Sequence, residues 1–266
     1  MKPKKFSRDG LTTVIYPVAF GALIVVLWQT QILHRILGAD TFTLPLPGRI
    51  LTIIGDNVPA IMGNVKATVI VALGGLALGS LLGYLLGVVA AIFTKWGKGG
   101  LTLASAFNAI PIIAIAPILN NLTKDFSPDA YTRSMFAKML VVMITSTVSM
   151  SANAYRGLTE LKPFSLDLMH SYAATPWQIF YKLRLPNSVP YIFTALRVSV
   201  PGSVISALVS EYFAEFIVGV GRQIRENIVL AQYATAWAYI VVACAIGILM
   251  YAVLLITEGI LLKGRR

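Results

Sequence analysis

Apolar residues in this chain run in six long blocks, at residues 10–33, 67–94, 100–123, 136–155, 188–210 and 227–257. A helix needs roughly 20 residues, at about 1.5 Å each, to cross the hydrocarbon of a bilayer, and each block comes close to or exceeds that length. The fourth is the shortest, its apolar stretch covering only 139–155, and the fifth contains Arg197. Lys138 and Arg197 are expected near helix ends, with their charged heads reaching the interface. The first block follows the basic start Met1–Arg8, but its 24 residues exceed the roughly 7 to 15 of a secretory core, so it is expected to stay as a helix. The pattern predicts an all-α polytopic membrane protein. A basic tail (1–9), one transmembrane domain (10–262) containing a long polar loop at 156–187, and a short basic tail (263–266) make up the chain.

Composition supports this class: 57% of residues are hydrophobic and 12% charged, against roughly 45–50% and about 25% in soluble domains. So much apolar surface cannot be hidden in one core of this size, and the low charge excludes disorder. The net charge of +11 reads first as topology rather than nucleic-acid binding, because cytoplasmic loops retain Lys and Arg. With the amino terminus inside, 13 basic residues fall on the inner side and six on the outer, while Lys66, Lys138 and Arg197 lie at span edges. Both termini inside requires an even number of spans, and six satisfies it. Cys244 lies in the last apolar block and is expected to be a small core residue. His34 and His170 stand far apart with no second ligand type at metal spacing, so no metal site is expected.

Gly75, Gly79, Gly83 and Gly87 place one glycine per turn on one helix face. Such a stripe lets another backbone approach closely, either within the bundle or at a subunit or repeat interface. Pro111 and Pro117, and Pro201 with Gly202, predict kinks or unwound turns, tolerated where protein or a water-filled path covers the freed backbone. No phosphate-cradling glycine loop, nucleophile elbow or zinc-protease motif occurs, so no catalytic residues and no cofactor are expected. Mid-span Asp, Glu or His relays of a proton- or sodium-coupled carrier are also missing, so uphill transport needs energy from another subunit.

The loop at 156–187 is far longer than the roughly 2 to 8 residues that join helices of a bundle. Thr175 is suited to an N-cap, Pro176 to the first helical position and Gln178 to closing a capping box. The helix that follows would carry Ile179, Phe180 and Leu183 on one face until Pro186 stops it. A separate short helix is expected at about 165–172, with Leu166, Met169 and Tyr172 available to an apolar contact. Two short helices joined at Ala173 and Ala174 would form a firm knob for another protein.

These residues resemble the EAA loop of ABC importer permeases. Asp167, Leu168 and Met169 stand at the E-A-A positions, Ala173 at the glycine, Leu183 at the isoleucine, and Leu185 and Pro186 complete the pattern, with matching spacing throughout. Thr43–Leu51 is similar to the segment before the second span of the nitrate, sulfonate and taurine branch, and Pro111–Ala114 with Pro117 to its third span.

The resemblance implies six transmembrane helices of the type I importer permease kind, both termini cytoplasmic, in a bacterial inner membrane. It also implies two ATP-binding subunits, an extracytoplasmic substrate-binding protein and a second permease copy, most simply as a homodimer. Coupling to the ATPase would fall to Asp167, Leu168, Met169, Tyr172, Ala173, Ala174, Thr175, Pro176, Trp177, Leu183, Leu185 and Pro186. Asn108, Ser146, Ser199, Ser203 and Ser206 are candidate path residues, although the same side chains also suit ordinary interhelical hydrogen bonds. Substrates consistent with the resemblance are sulfonates such as taurine, nitrate, a thiamine-precursor pyrimidine or riboflavin. A self-contained secondary carrier or channel, or a membrane scaffold, is the rival class.

Overall fold

The computed structural model describes residues 8–106, 110–214, 216 and 218–263. The chain forms α1 (Arg8–Gln29), α2 (Ile32–Leu37), α3 (Pro47–Asp56), α4 (Val58–Ile92), α5 (Thr94–Ala106), α6 (Ile112–Leu122), α7 (Ala130–Thr159), α8 (Ser165–Ser171), α9 (Pro176–Ile179), α10 (Leu185–Tyr212), α11 (Val220–Val229) and α12 (Tyr233–Leu261). Among the described residues, four helices are long and apolar enough to cross a bilayer: Val58–Ile92, Ala130–Thr159, Pro176–Tyr212 and Tyr233–Leu261. The apolar part of α1 and all of α6 are shorter.

The centre of the bundle is the pairing of α4 with α7. A methyl group added at Gly75 would meet Val142 Cβ at 2.5 Å and Met139 O at 2.7 Å. At Gly79 it would strike Met143 O and, at 2.8 Å, Ser146 Cβ; at Gly83, Thr147 O and, at 2.8 Å, Met150 Cβ; at Gly87, Ala154 Cβ at 2.6 Å. Each glycine is matched to the next turn of α7, so the two backbones touch along four turns. This settles the two readings of the stripe: it serves a contact inside the bundle. Val71, Ala72, Val142, Val204, Ala207, Tyr239 and Ala243 complete the core where α4, α7, α10 and α12 meet.

Several boundaries differ from the expectation, each for a physical reason. The third span is broken: between α5 and α6 stands Pro111, whose ψ of 128° is extended and which starts a new helix rather than continuing one. Helix α7 begins earlier than 136, because Asp129 caps it by accepting from Thr132 N at 2.8 Å. The last block divides into α11 and α12 at a turn where Ala231 has φ of 55°.

Pro186 does not stop the helix that starts at Pro176. A π-helical turn at Phe180–Arg184 joins α9 to α10, with Leu185 N–H reaching Phe180 O. The wider turn accommodates a proline ring that would clash with the preceding turn of a regular α-helix. Helix α10 likewise runs through Pro201 without unwinding, held by buried Val200, Ser203 and Val204. Cys244 is exposed on the outer face of α12 rather than in the core. Ile248, Leu249, Val253 and Ile256 share that exposure, as expected of a surface facing lipid tails.

The first three helices are tied back to α12. Gly48 N donates to Gln29 Oε1 at 3.0 Å, Trp237 Nε1 donates to Thr43 O at 3.1 Å, and Trp28 meets Trp237 edge-on at 5.4 Å.

Adding a branched side chain to the glycine stripe forces the α4 and α7 backbones apart, an overpacking cost of about 1–3 kcal/mol. Gly79→Val is expected to lower the unfolding temperature of the purified protein in detergent. Gly63→Val, where nothing lies within 4 Å, should leave it close to the parent; equal behaviour of the two variants would contradict the packing described.

Candidate functional site

Three constellations stand out: a two-helix knob at one end of the bundle, a cavity along α10, and a buried polar cluster at the far end of α10.

The knob begins where Phe164, with φ of 61°, turns the chain into α8, which carries Asp167, Leu168 and Met169 and buries none of its residues. Tyr172 follows. Ala173, with φ of 49°, makes the corner into the second helix, an unusual conformation for a residue with a Cβ and one that glycine adopts freely. Ala174 N donates to Met169 O at 3.0 Å. The capping box is formed: Gln178 N donates to Thr175 Oγ1 at 3.3 Å and Thr175 N to Gln178 Oε1 at 2.9 Å, with Pro176 at the first turn. Phe164, Leu168, Tyr172, Trp177 and Tyr181 are all more than half exposed, a concentration of large apolar and aromatic groups on a small knob. Leu183, Leu185 and Pro186 are half-buried at its base.

The base is bolted to the end of α7. Asn187 Nδ2 donates to Gly157 O at 2.8 Å and Glu160 O at 3.0 Å, and Tyr191 OH donates to Glu160 Oε2 at 3.2 Å. Arg156 Nε donates to Glu160 Oε1 at 3.0 Å, and that contact holds the Glu160 carboxyl below the ordinary carboxylate range.

The cavity, about 430 Å³, lies between α6, α7 and α10, lined by Ile110, Ile112, Ile115, Ile144, Val198 and Ile205 together with Gly202 and the hydroxyls of Thr145, Ser146, Ser149, Ser199 and Ser206. Three of the five expected path residues therefore meet there. Ser203 does not: it is fully buried elsewhere on α10, donating to Val200 O at 2.7 Å. Asn108 lies outside the described residues. Thr145 Oγ1 and Ser206 Oγ are 3.2 Å apart, whereas Ser146 Oγ and Ser199 Oγ are buried without a protein partner.

The third constellation was not expected. Lys138 and Glu211 are fully buried rather than reaching an interface. Four side chains from three helices hold the backbone that links α10 to α11: Lys138 Nζ donates to Val218 O at 2.9 Å, Gly219 N to Asn64 Oδ1 at 3.0 Å, Val220 N to Thr68 Oγ1 at 2.9 Å, and Gly221 N to Glu211 Oε2 at 2.9 Å. Thr68 Oγ1 also donates to Glu211 Oε2 at 3.0 Å. Gly219, at φ of 112°, lies against the Glu211 carboxylate, where any Cβ would collide. Arg197, the other charge expected at an interface, instead makes a two-point pair with Glu258 of α12, at 2.8 and 2.7 Å. A sequence signal existed for the cluster: a lone acid ending an apolar block, followed by the closely spaced Gly219 and Gly221.

A helical bundle crossing the membrane several times, with a solute-sized cavity along one helix and an exposed apolar knob at one end, defines a polytopic membrane transport subunit. The chain belongs to the family of binding-protein-dependent transport system inner membrane components, whose profile matches residues 83–263. It is thus a permease component of the ABC importer family, located in the inner membrane. The chain is 28% identical over 251 residues to the formylaminopyrimidine transport permease protein ThiX of Halalkalibacterium halodurans, covering 94% of this chain and 96% of that one. It is 27% identical over 85 residues to the bicarbonate transport system permease protein CmpB of Synechocystis, covering 32% and 30%. Its fold resembles a chain of the MetNI methionine ABC transporter, solved in inward-facing conformations, with a TM-score of 0.52 and 15% identity over 74% of this chain and 94% of that chain.

The buried cluster yields a test of its own. Glu211→Ala leaves Gly221 N and Thr68 Oγ1 without their acceptor, and hydrogen bonds to a charged group contribute about 1.5–3 kcal/mol each. Expected are a clear drop in unfolding temperature and faster protease cleavage within 213–220, with Asp125→Ala, at an exposed position, unchanged in both; equal cleavage of the two variants would contradict the anchoring role.

Proposed function

We propose that this chain is the permease half-unit of an ATP-driven importer, assembled as two copies with two ATP-binding subunits, and that it passes a small solute from an extracytoplasmic binding protein into the cytoplasm. The single domain at 10–262 crosses the membrane six times, with α1 and the broken α5–α6 pair completing the four long spans. Both termini and the knob lie in the cytoplasm, as the excess of inner Lys and Arg requires. The buried cluster of Lys138 and Glu211 then closes the outer end of α10.

One observation carries this reading: the second helix of the knob and one wall of the cavity are parts of one helix. The stretch Pro176–Tyr212 is uninterrupted from the capping box at Thr175 to the cluster at Glu211, and the cavity-lining Ser199 and Ser206 lie on it. A displacement at the knob therefore moves one wall of the cavity. Asp167, Leu168, Met169, Tyr172 and Trp177 present the docking surface, Ala173 and Ala174 its corner, and Thr175 and Pro176 the cap, while Leu183, Leu185 and Pro186 transmit the motion through the π turn. The two permease copies rock against each other as the ATPases close, opening the path alternately to each side. Among the expected substrates, a thiamine-precursor pyrimidine is favoured by similarity along nearly the whole length to a permease named for formylaminopyrimidine.

The test is co-purification with the ATP-binding subunit followed by ATP-driven uptake in proteoliposomes. Leu168→Asp is expected to abolish the complex, and Thr175→Ala with Met169→Asp to leave ATP hydrolysis running while uptake falls at least tenfold. A wild-type chain that purifies free of any ATPase, or full uptake in the double variant, overturns the assignment.

A further inference from the structure

We propose that the cavity between α6, α7 and α10 takes its solute in uncharged form, as a small hydrogen-bonding ring compound rather than an anion. This rests on the reading of that cavity as the transport path.

The first observation is the pair of free hydroxyls. Serine and threonine in a helix ordinarily satisfy themselves on the carbonyl three or four residues back, as Thr147, Ser203 and Ser210 do here at 2.7, 2.7 and 2.8 Å. Ser146 and Ser199, nine-tenths or more buried, make no such bond, yet both line the cavity from opposite helices. A hydroxyl can donate and accept, so together they suit a solute with both kinds of group, against walls that are otherwise mainly isoleucine and valine.

The second observation is charge. Between Lys138 and Arg156 on α7, and throughout α6, the chain has no Asp, Glu, Lys, Arg or His. Between Arg184 and Glu211 on α10 there is only Arg197, whose guanidinium is engaged in two hydrogen bonds with Glu258. Residues 103–110, which precede α6, are uncharged in sequence. An anion entering would leave water without a counter-ion, a cost that neutral hydroxyls do not return. The start of α6 supplies only the partial positive charge of a helix end, enough to polarise a carbonyl or ring nitrogen but not to neutralise a full charge.

The chain, reconstituted in nanodiscs, is tested by equilibrium dialysis against formylaminopyrimidine and against nitrate, bicarbonate and methanesulfonate. Expected is saturable binding of the pyrimidine alone, weakened about tenfold by Ser146→Ala with Ser199→Ala, weakened as much by Ser199→Lys, and unchanged by Ser203→Ala. Binding of an anion, strengthening of anion binding by Ser199→Lys, or no binding of the pyrimidine overturns the inference. The path reading is checked separately in the full transporter: with Cys244 replaced by Ala, a thiol reagent on Ser206→Cys should stop ATP-driven uptake. If uptake survives, the path assignment itself fails; if uptake stops but an anion is what binds, only the inference about charge fails.

Discussion

The contact on which the rest of the structure depends is the backbone-to-backbone seam between α4 and α7. Lipid tails are as apolar as leucine, so helices in a bilayer gain little from simply hiding hydrophobic side chains from them; close van der Waals packing must do the work. Gly75, Gly79, Gly83 and Gly87 supply it by letting four successive turns of α7 sit directly on α4. With those two helices fixed, α10 packs against both, and every functional group described here is placed relative to that three-helix frame.

Helix α10 then connects three places that differ in chemistry. At its beginning a capping box and a π turn carry it out of an exposed knob. In its middle, Ser199, Gly202 and Ser206 face a cavity. At its end, Glu211 reaches back to hold the chain reversal at 218–221. The two ends are built differently: the knob is small, apolar on its surface and nearly free of buried groups, which suits a partner that binds and pulls. The far end is a dense polar cluster whose buried Lys138 and Glu211 depend on hydrogen bonds to backbone groups, which suits a fixed closure. Polar groups inside a bilayer are costly unless satisfied, so their concentration at that one turn marks it as a specified element.

The knob was almost fully legible in the residues, because its determinants are local: a Thr-Pro-x-Gln cap, a two-residue corner and a matching spacing of aromatic and apolar positions. Long-range pairing was not. The glycine stripe announced a close contact but not with which helix. Ser146, Ser199 and Ser206 could be listed as candidates alongside Ser203, yet only their rotation about α10 and α7 separates the three that face the cavity from the one that does not. Lys138 looked like an edge residue because its partner, the carbonyl of Val218, lies 80 positions away.

The sequence alone determined that the chain lives in a membrane, since block length and charge content are one-dimensional properties that bilayer thickness reads directly. It also determined the knob, whose helices and corner are held by hydrogen bonds between residues three to five apart. Tertiary structure decided where helices end when a proline is present. Pro111 breaks a span, whereas Pro186 and Pro201 do not, because a π turn absorbs one ring and packing on α4 and α7 holds the other. It decided, too, which hydroxyls are left unsatisfied and which charges are buried, for those depend on what another helix brings to the same point in space.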